Sequence, residues 1–222
     1  MKTSILFLAA AMLHGQGLDP AELLKPPTSN WPTFNGDYSG RRYSTLSQIN
    51  KNNAGSLTLA WAFQSRVTNL KGTPLEVNGV VYFSAPDHVW AIDARTGRRL
   101  WHYERPSEGD HIASRGVAMY KNRLYFGTPD AHLICLDART GKELWNRPNV
   151  GKYHASLLRT GDDKLLMLDD SGNLILLDPD PKEYKELARS KVCGKTWAHP
   201  ALSDGRLYVR DGKELICLQL GE

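Results

Sequence analysis

Three kinds of side chain in this 222-residue chain could do chemistry, and each has first to be set against what its neighbours need for structure. Asp87-His88 and Asp130-Ala131-His132 place a carboxylate beside an imidazole, the donor types of a transition-metal site. A metal needs ligands converging from several elements, whereas both pairs follow a proline, Pro86 or Pro129, and a turn accounts for them as they stand. Cys135, Cys193 and Cys217 are three thiols, which do not build a disulfide framework, and no Cys-x-x-Cys-His occurs for covalent haem. Cys135 and Cys217 stand in equivalent Ile-Cys-Leu strands and read as small core residues, while Cys193, beside Gly194, reads as a free thiol in a loop. Asp93 and Asp137 each open an Asp-x-x-Thr-Gly-x-x-x-Trp motif. A catalytic carboxylate has no reason to recur. A structural one does: the aspartates accept hydrogen bonds from turn amides, Gly97 and Gly141 supply a left-handed turn residue, and Trp101 and Trp145 pack flat between neighbouring units.

The elements that would carry these residues are set by a repeat. Residues 91–101 (Ala-Ile-Asp-Ala-Arg-Thr-Gly-Arg-Arg-Leu-Trp) return as residues 135–145, 44 positions later. Upstream, Tyr82, Tyr125, Met167 and Tyr208 occupy equivalent places at steps of 43, 42 and 41 residues. Units of this length made of short strands and tight turns are propeller blades, so the chain is expected to be all-β, with about four four-stranded blades. Each unit begins with an innermost strand, and Asn78-Gly79, Asp204-Gly205 and Asp211-Gly212 suit hairpins with positive φ. The third and fourth units are worn. Asp178-Pro-Asp-Pro-Lys-Glu-Tyr184 replaces the Thr-Gly motif, and the fourth ends after its third strand. Residues 57–63 (Leu-Thr-Leu-Ala-Trp-Ala-Phe) form a strand without a blade, expected to complete the last one and cover two open edges.

Lys2 and the apolar run at residues 5–13 read as a secretory leader over residues 1–17, with a membrane anchor as the alternative. No apolar run reaches the ~20 residues a spanning helix needs. Residues 18–56 form an N-terminal lead-in and residues 57–222 the propeller repeats, which implies a periplasmic or secreted protein without a membrane-spanning segment. The formal charge of +4 is dispersed, leaving no nucleic-acid footprint.

Trp31-Pro-Thr-Phe-Asn-Gly-Asp-Tyr-Ser-Gly-Arg-Arg-Tyr-Ser44, Leu46-Ser-Gln-Ile-Asn50 and Leu59-Ala-Trp61, together with the Asp-x-x-Thr-Gly-x-x-x-Trp repeats, resemble the pyrroloquinoline quinone (PQQ) dependent alcohol dehydrogenases over about residues 30–147. From Tyr153-His-Ala-Ser onward the chain is similar instead to the last blades of bacterial PQQ-like repeat proteins, many without a known catalytic role. The resemblance implies PQQ and calcium in a propeller channel, a carboxylate base, and hydride transfer from an alcohol to the quinone. Carried over by position, Arg115 matches an arginine that contacts the quinone, and its guanidinium fork suits carboxylates and carbonyls. Lys71 falls where the family places a cofactor-binding glutamate, and His111-Ile-Ala-Ser114 stands where it places a vicinal cysteine pair. Calcium ligands and the catalytic base belong to family segments with no match here, so no catalytic or metal residue is assigned. Three readings stay open. The chain is a quinoprotein oxidoreductase, or a non-catalytic scaffold for an envelope protein or a second copy of itself, or a remnant that has lost its middle blades.

Overall fold

The computed structural model describes residues 17–67, 71–107, 115–150, 155–180 and 182–220. Among the described residues, fifteen strands form four antiparallel sheets in chain order. Blade 1 consists of β1 (Leu75–Val77), β2 (Val80–Ala85), β3 (His88–Asp93) and β4 (Arg99–Glu104). Blade 2 consists of β5 (Val117–Tyr120), β6 (Arg123–Gly127), β7 (Leu133–Asp137) and β8 (Glu143–Arg147). Blade 3 comprises β9 (Ala155–Arg159), β10 (Leu165–Asp169), β11 (Asn173–Asp178) and β12 (Lys185–Lys191). Blade 4 has three strands among the described residues, β13 (Ala201–Ser203), β14 (Arg206–Arg210) and β15 (Leu215–Gln219). No described helix is long and apolar enough to cross a membrane.

Turn chemistry fixes the hairpins. Asn78 and Gly79 (φ 52° and 80°) and Asp204 and Gly205 (φ 49° and 68°) take the left-handed pair that a two-residue hairpin favours. Asp211-Gly212 departs from that expectation, since neither residue has positive φ. There the Asp211 carboxylate makes the turn itself, accepting from the backbone amides of Lys213 (2.8 Å) and Glu214 (3.0 Å).

A bulge recurs where the third strand meets the fourth. Ala91 faces Trp101 but Ile92 faces Arg99, and Cys135 faces Trp145 but Leu136 faces Glu143. In blade 3 the same slip sets Leu176 against Ala188 and Leu177 against Glu186, so Ala188 holds the place that a tryptophan holds in blades 1 and 2. Trp101 leaves its blade and docks on the next. Its indole N–H donates to the Ala138 carbonyl at 3.0 Å, and its ring lies against Gly141, where an added Cβ would be 2.7 Å away.

The same docking corrects the expectation for residues 57–63. They form no strand and do not extend blade 4. Trp61 instead docks on blade 1, donating to the Ala94 carbonyl at 2.9 Å and lying against Gly97, while Phe63 packs edge-on against Phe83. The lead-in is tied to the same half of the molecule: Trp31 bridges to Glu76, Leu18 bridges to Lys121, and Leu18 and Leu23 are buried in the core shared by blades 1 and 2.

One thiol assignment changes, that of Cys217, while Cys193 is a free thiol outside the strands as expected. Cys135 is buried as expected, and burial pushes its pKa up to about 12. Cys217 is exposed on β15, whereas Cys193 is buried among Leu166, Leu168, Leu207 and Val209, between blades 3 and 4.

A candidate anion site where blades 1 and 2 begin

The lead-ins to β1 and β5 touch through two glycines. A Cβ on Gly72 would sit 2.8 Å from the Gly116 Cα and 2.9 Å from its nitrogen, and Gly116 itself has φ 115°. Neither position tolerates a side chain without backbone movement. Lys71 and Arg115 are the residues immediately before these glycines, so the contact sets their backbones side by side; the Arg115 carbonyl carbon would be 3.3 Å from the same Cβ. Both side chains are exposed, and neither makes a hydrogen bond or ion pair among the described residues. A lysine and an arginine carried on neighbouring backbones, one of them a planar fork, suit a ligand carrying several carboxylates. PQQ, a tricarboxylic quinone, is such a ligand. The stretch at His111-Ile-Ala-Ser114, residues 1–16 of the expected leader at residues 1–17, and Tyr153-His154 lie outside the described residues.

The Asp-His pairs reach beyond their turns. His88 Nδ1 lies 3.0 Å from His102 Nε2, and the His102 ring stacks on Trp90 at 5.0 Å and 3°. Burial and the neighbouring His88 hold the His102 pKa below its ordinary value. At the matching place in blade 2, His132 Nδ1 lies 2.6 Å from the Asn146 amide oxygen. Asp130 instead forks Arg105 at 3.0–3.1 Å, joining blade 2 to the end of β4. Burial pushes the Asp130 pKa up, but hydrogen bonds from Arg105 and Thr128 outweigh it and the net shift is downward. These are interblade and cross-strand contacts. Sequence reading missed His102 and Glu104 because it treated each Asp-His pair as local; the 14-residue spacing from His88 to His102, across a hairpin, was the available signal.

The fold and its docking tryptophans define a β-propeller of quinoprotein type. The model of the PQQ glucose/ethanol/alcohol dehydrogenase β-propeller domain matches residues 31–156, more than half of the chain, and the chain belongs to that family. Among its relatives, the quinohemoprotein alcohol dehydrogenase of Comamonas testosteroni is 41% identical over 112 residues, which cover 46% of this chain and 16% of that protein. The quinoprotein ethanol dehydrogenase of Pseudomonas putida is 30% identical over 191 residues, covering 76% of this chain and 30% of that protein. Among solved structures, a europium-containing methanol dehydrogenase superposes with a TM-score of 0.63 at 28% identity, covering 78% of this chain and 34% of the other. The chain therefore spans less than a third of the length of these two curated relatives.

Proposed function

We propose that this chain is a quinoprotein-type propeller unit whose Lys71–Arg115 patch binds PQQ through its carboxylates, and that it does not oxidise alcohols by itself. The observation that supports the reading is the Gly72–Gly116 contact, which sets the backbones preceding β1 and β5, with Lys71 and Arg115 on them, side by side. When bound, the quinone supplies a two-electron acceptor for hydride from an alcohol carbon. Arg115 would orient the quinone by pairing in-plane with carboxylate or carbonyl oxygens, and Lys71 would add a point charge with rotatable donors. Residues 1–17 would direct the chain to the periplasm or outside, leaving residues 18–56 to staple the propeller repeats of residues 57–222.

The test is retention of PQQ absorbance after gel filtration, by the parent chain and by Arg115→Ala. Retention by the parent and loss by the variant supports the reading, and equal retention or none removes it. A dye-linked alcohol oxidation assay on the loaded chain is expected to stay at background. A second reading, a non-catalytic scaffold for an envelope protein or another copy, is supported by the open edge of β15 and by exposed Leu57, Leu59 and Leu215. Light scattering that shows a monomer with or without envelope extract, beside positive PQQ retention, decides against it.

A further inference from the structure

We propose that His88, His102 and Glu104 form a binding site for a divalent transition-metal ion of the zinc and copper class, on the outer strands of blade 1 and separate from the Lys71–Arg115 patch.

Strand register builds the site. In the β3–β4 pairing His88 faces Glu104 and Trp90 faces His102, so His88 and His102 are diagonal neighbours on one face. Their ligand atoms and that of Glu104 all lie within 4.8 Å of one another. Two imidazole nitrogens on one tetrahedral ion, each about 2.0–2.1 Å from it, are roughly 3.3 Å apart, and here they are 3.0 Å apart. A few tenths of an ångström of opening admits the ion. The rings are already ordered, because His88 and His102 both stack on Trp90, with centroids at 5.2 and 5.0 Å.

The donor set has a definite chemistry. Two imidazoles and one carboxylate leave a fourth position for water or an exogenous ligand and favour zinc or copper over calcium, which prefers oxygen alone. A neutral imidazole pair can also share one proton in an N–H···N bond, but that arrangement has no use for Glu104 beside it. Blade 2 is an internal control. Its matching residues are His132, Asn146 and Pro148, and there the pair is an imidazole and an amide with no carboxylate in the third place.

The experiment is a titration of the untagged full chain with Co2+ and Zn2+, followed by the visible Co2+ bands and by calorimetry. One equivalent is expected to bind, with Co2+ bands of a four-coordinate nitrogen and oxygen site. His102→Asn, which installs the blade 2 residue, should weaken binding more than about 100-fold, beyond the 10–100-fold typical of losing an outer partner. Glu104→Gln should weaken it by about 10-fold or more, and His132→Gln should leave it unchanged. Circular dichroism of each variant separates lost binding from lost fold. Absence of stoichiometric binding by the parent, or parent-like affinity in a folded His102→Asn, overturns the assignment.

Discussion

Trp101 and Trp145 occupy the same position in blades 1 and 2, yet among the described residues only Trp101 finds a hydrogen bond for its indole. Trp101 lands on a turn built by Asp137, Thr140 and Gly141, where the Ala138 carbonyl accepts its indole N–H and Gly141 leaves room for its ring. Trp145 meets blade 3, whose turn is Asp178-Pro179-Asp180, and its buried indole N–H has no partner among the described residues; the ring packs edge-on against Tyr184 at 6.4 Å. Donor and bulge are the same in both. Docking is therefore specified by the receiving turn, and the tryptophan alone does not secure it. Beyond blade 3 the device disappears, with Ala188 in the tryptophan's place and a leucine-rich core holding blade 4.

The strongest way to break this comparison is to delete each ring. Trp101→Ala should cost about 3–5 kcal/mol, as for other large-to-small changes between packed elements, and Trp145→Ala about 1 kcal/mol less because it breaks no hydrogen bond. Equal losses in chemical denaturation would show that the receiving turn contributes nothing.

A smaller effect isolates the glycine. Gly141 and Gly79 both have positive φ, at 71° and 80°, but a Cβ on Gly141 meets the Trp101 ring at 2.7 Å whereas one on Gly79 meets nothing within 4 Å. Gly79→Ala should cost only the left-handed backbone, about 1–2 kcal/mol. Gly141→Ala should cost measurably more, and Gly141→Ala combined with Trp101→Ala should fall below the sum of the singles. Additive losses in the double mutant would mean that ring and glycine do not touch in solution.

The blade count, the docking tryptophans and the left-handed glycines were legible because each is encoded by local residue type at a repeating interval. The destination of residues 57–63 was not. Apolar alternation marks a strand, but only the spacing of Trp61 from Gly97, 36 residues against 40 for Trp101 and Gly141, shows that it repeats the docking step one unit earlier. The exposure of Cys217, expected in the core, has the same cause, since burial at the last blade depends on which neighbour covers it. For the candidate site, Lys71 and Arg115 were found through family resemblance, while the Gly72–Gly116 contact that joins them lies 44 residues apart in sequence and leaves no local trace. The cross-strand trio of His88, His102 and Glu104 needed the bulged register.

Exchanging only the indole N–H sharpens the comparison further. Trp101→Phe keeps most of the ring but strands the Ala138 carbonyl, a loss of about 1 kcal/mol. Trp145→Phe removes a donor that is already buried without a partner, so it should be neutral or slightly stabilising. Thermal melts of the two variants that shift downward by the same amount would contradict the difference in their surroundings.

The smallest effect concerns the aspartates that close the two kinds of turn. The Thr96 hydroxyl and amide hold the Asp93 carboxyl below its ordinary 3.8, whereas at the worn turn Lys185 and Lys164 do the same for Asp178, through ion pairs of 2.9 and 3.1 Å. In both cases the folded state binds the proton less readily than the unfolded state. Each carboxylate thus contributes stability that is present above about pH 4 and lost as pH falls through its folded pKa. Salt tells them apart, because it screens exposed charge pairs and leaves short hydrogen bonds within a turn largely intact. Carboxyl carbon titrations at low and high salt should move the Asp178 pKa upward toward 3.8 while Asp93 stays where it is. Should Asp93 follow Asp178 upward, its turn would be held by charge as well, and the intact motif would differ from the worn one in packing alone.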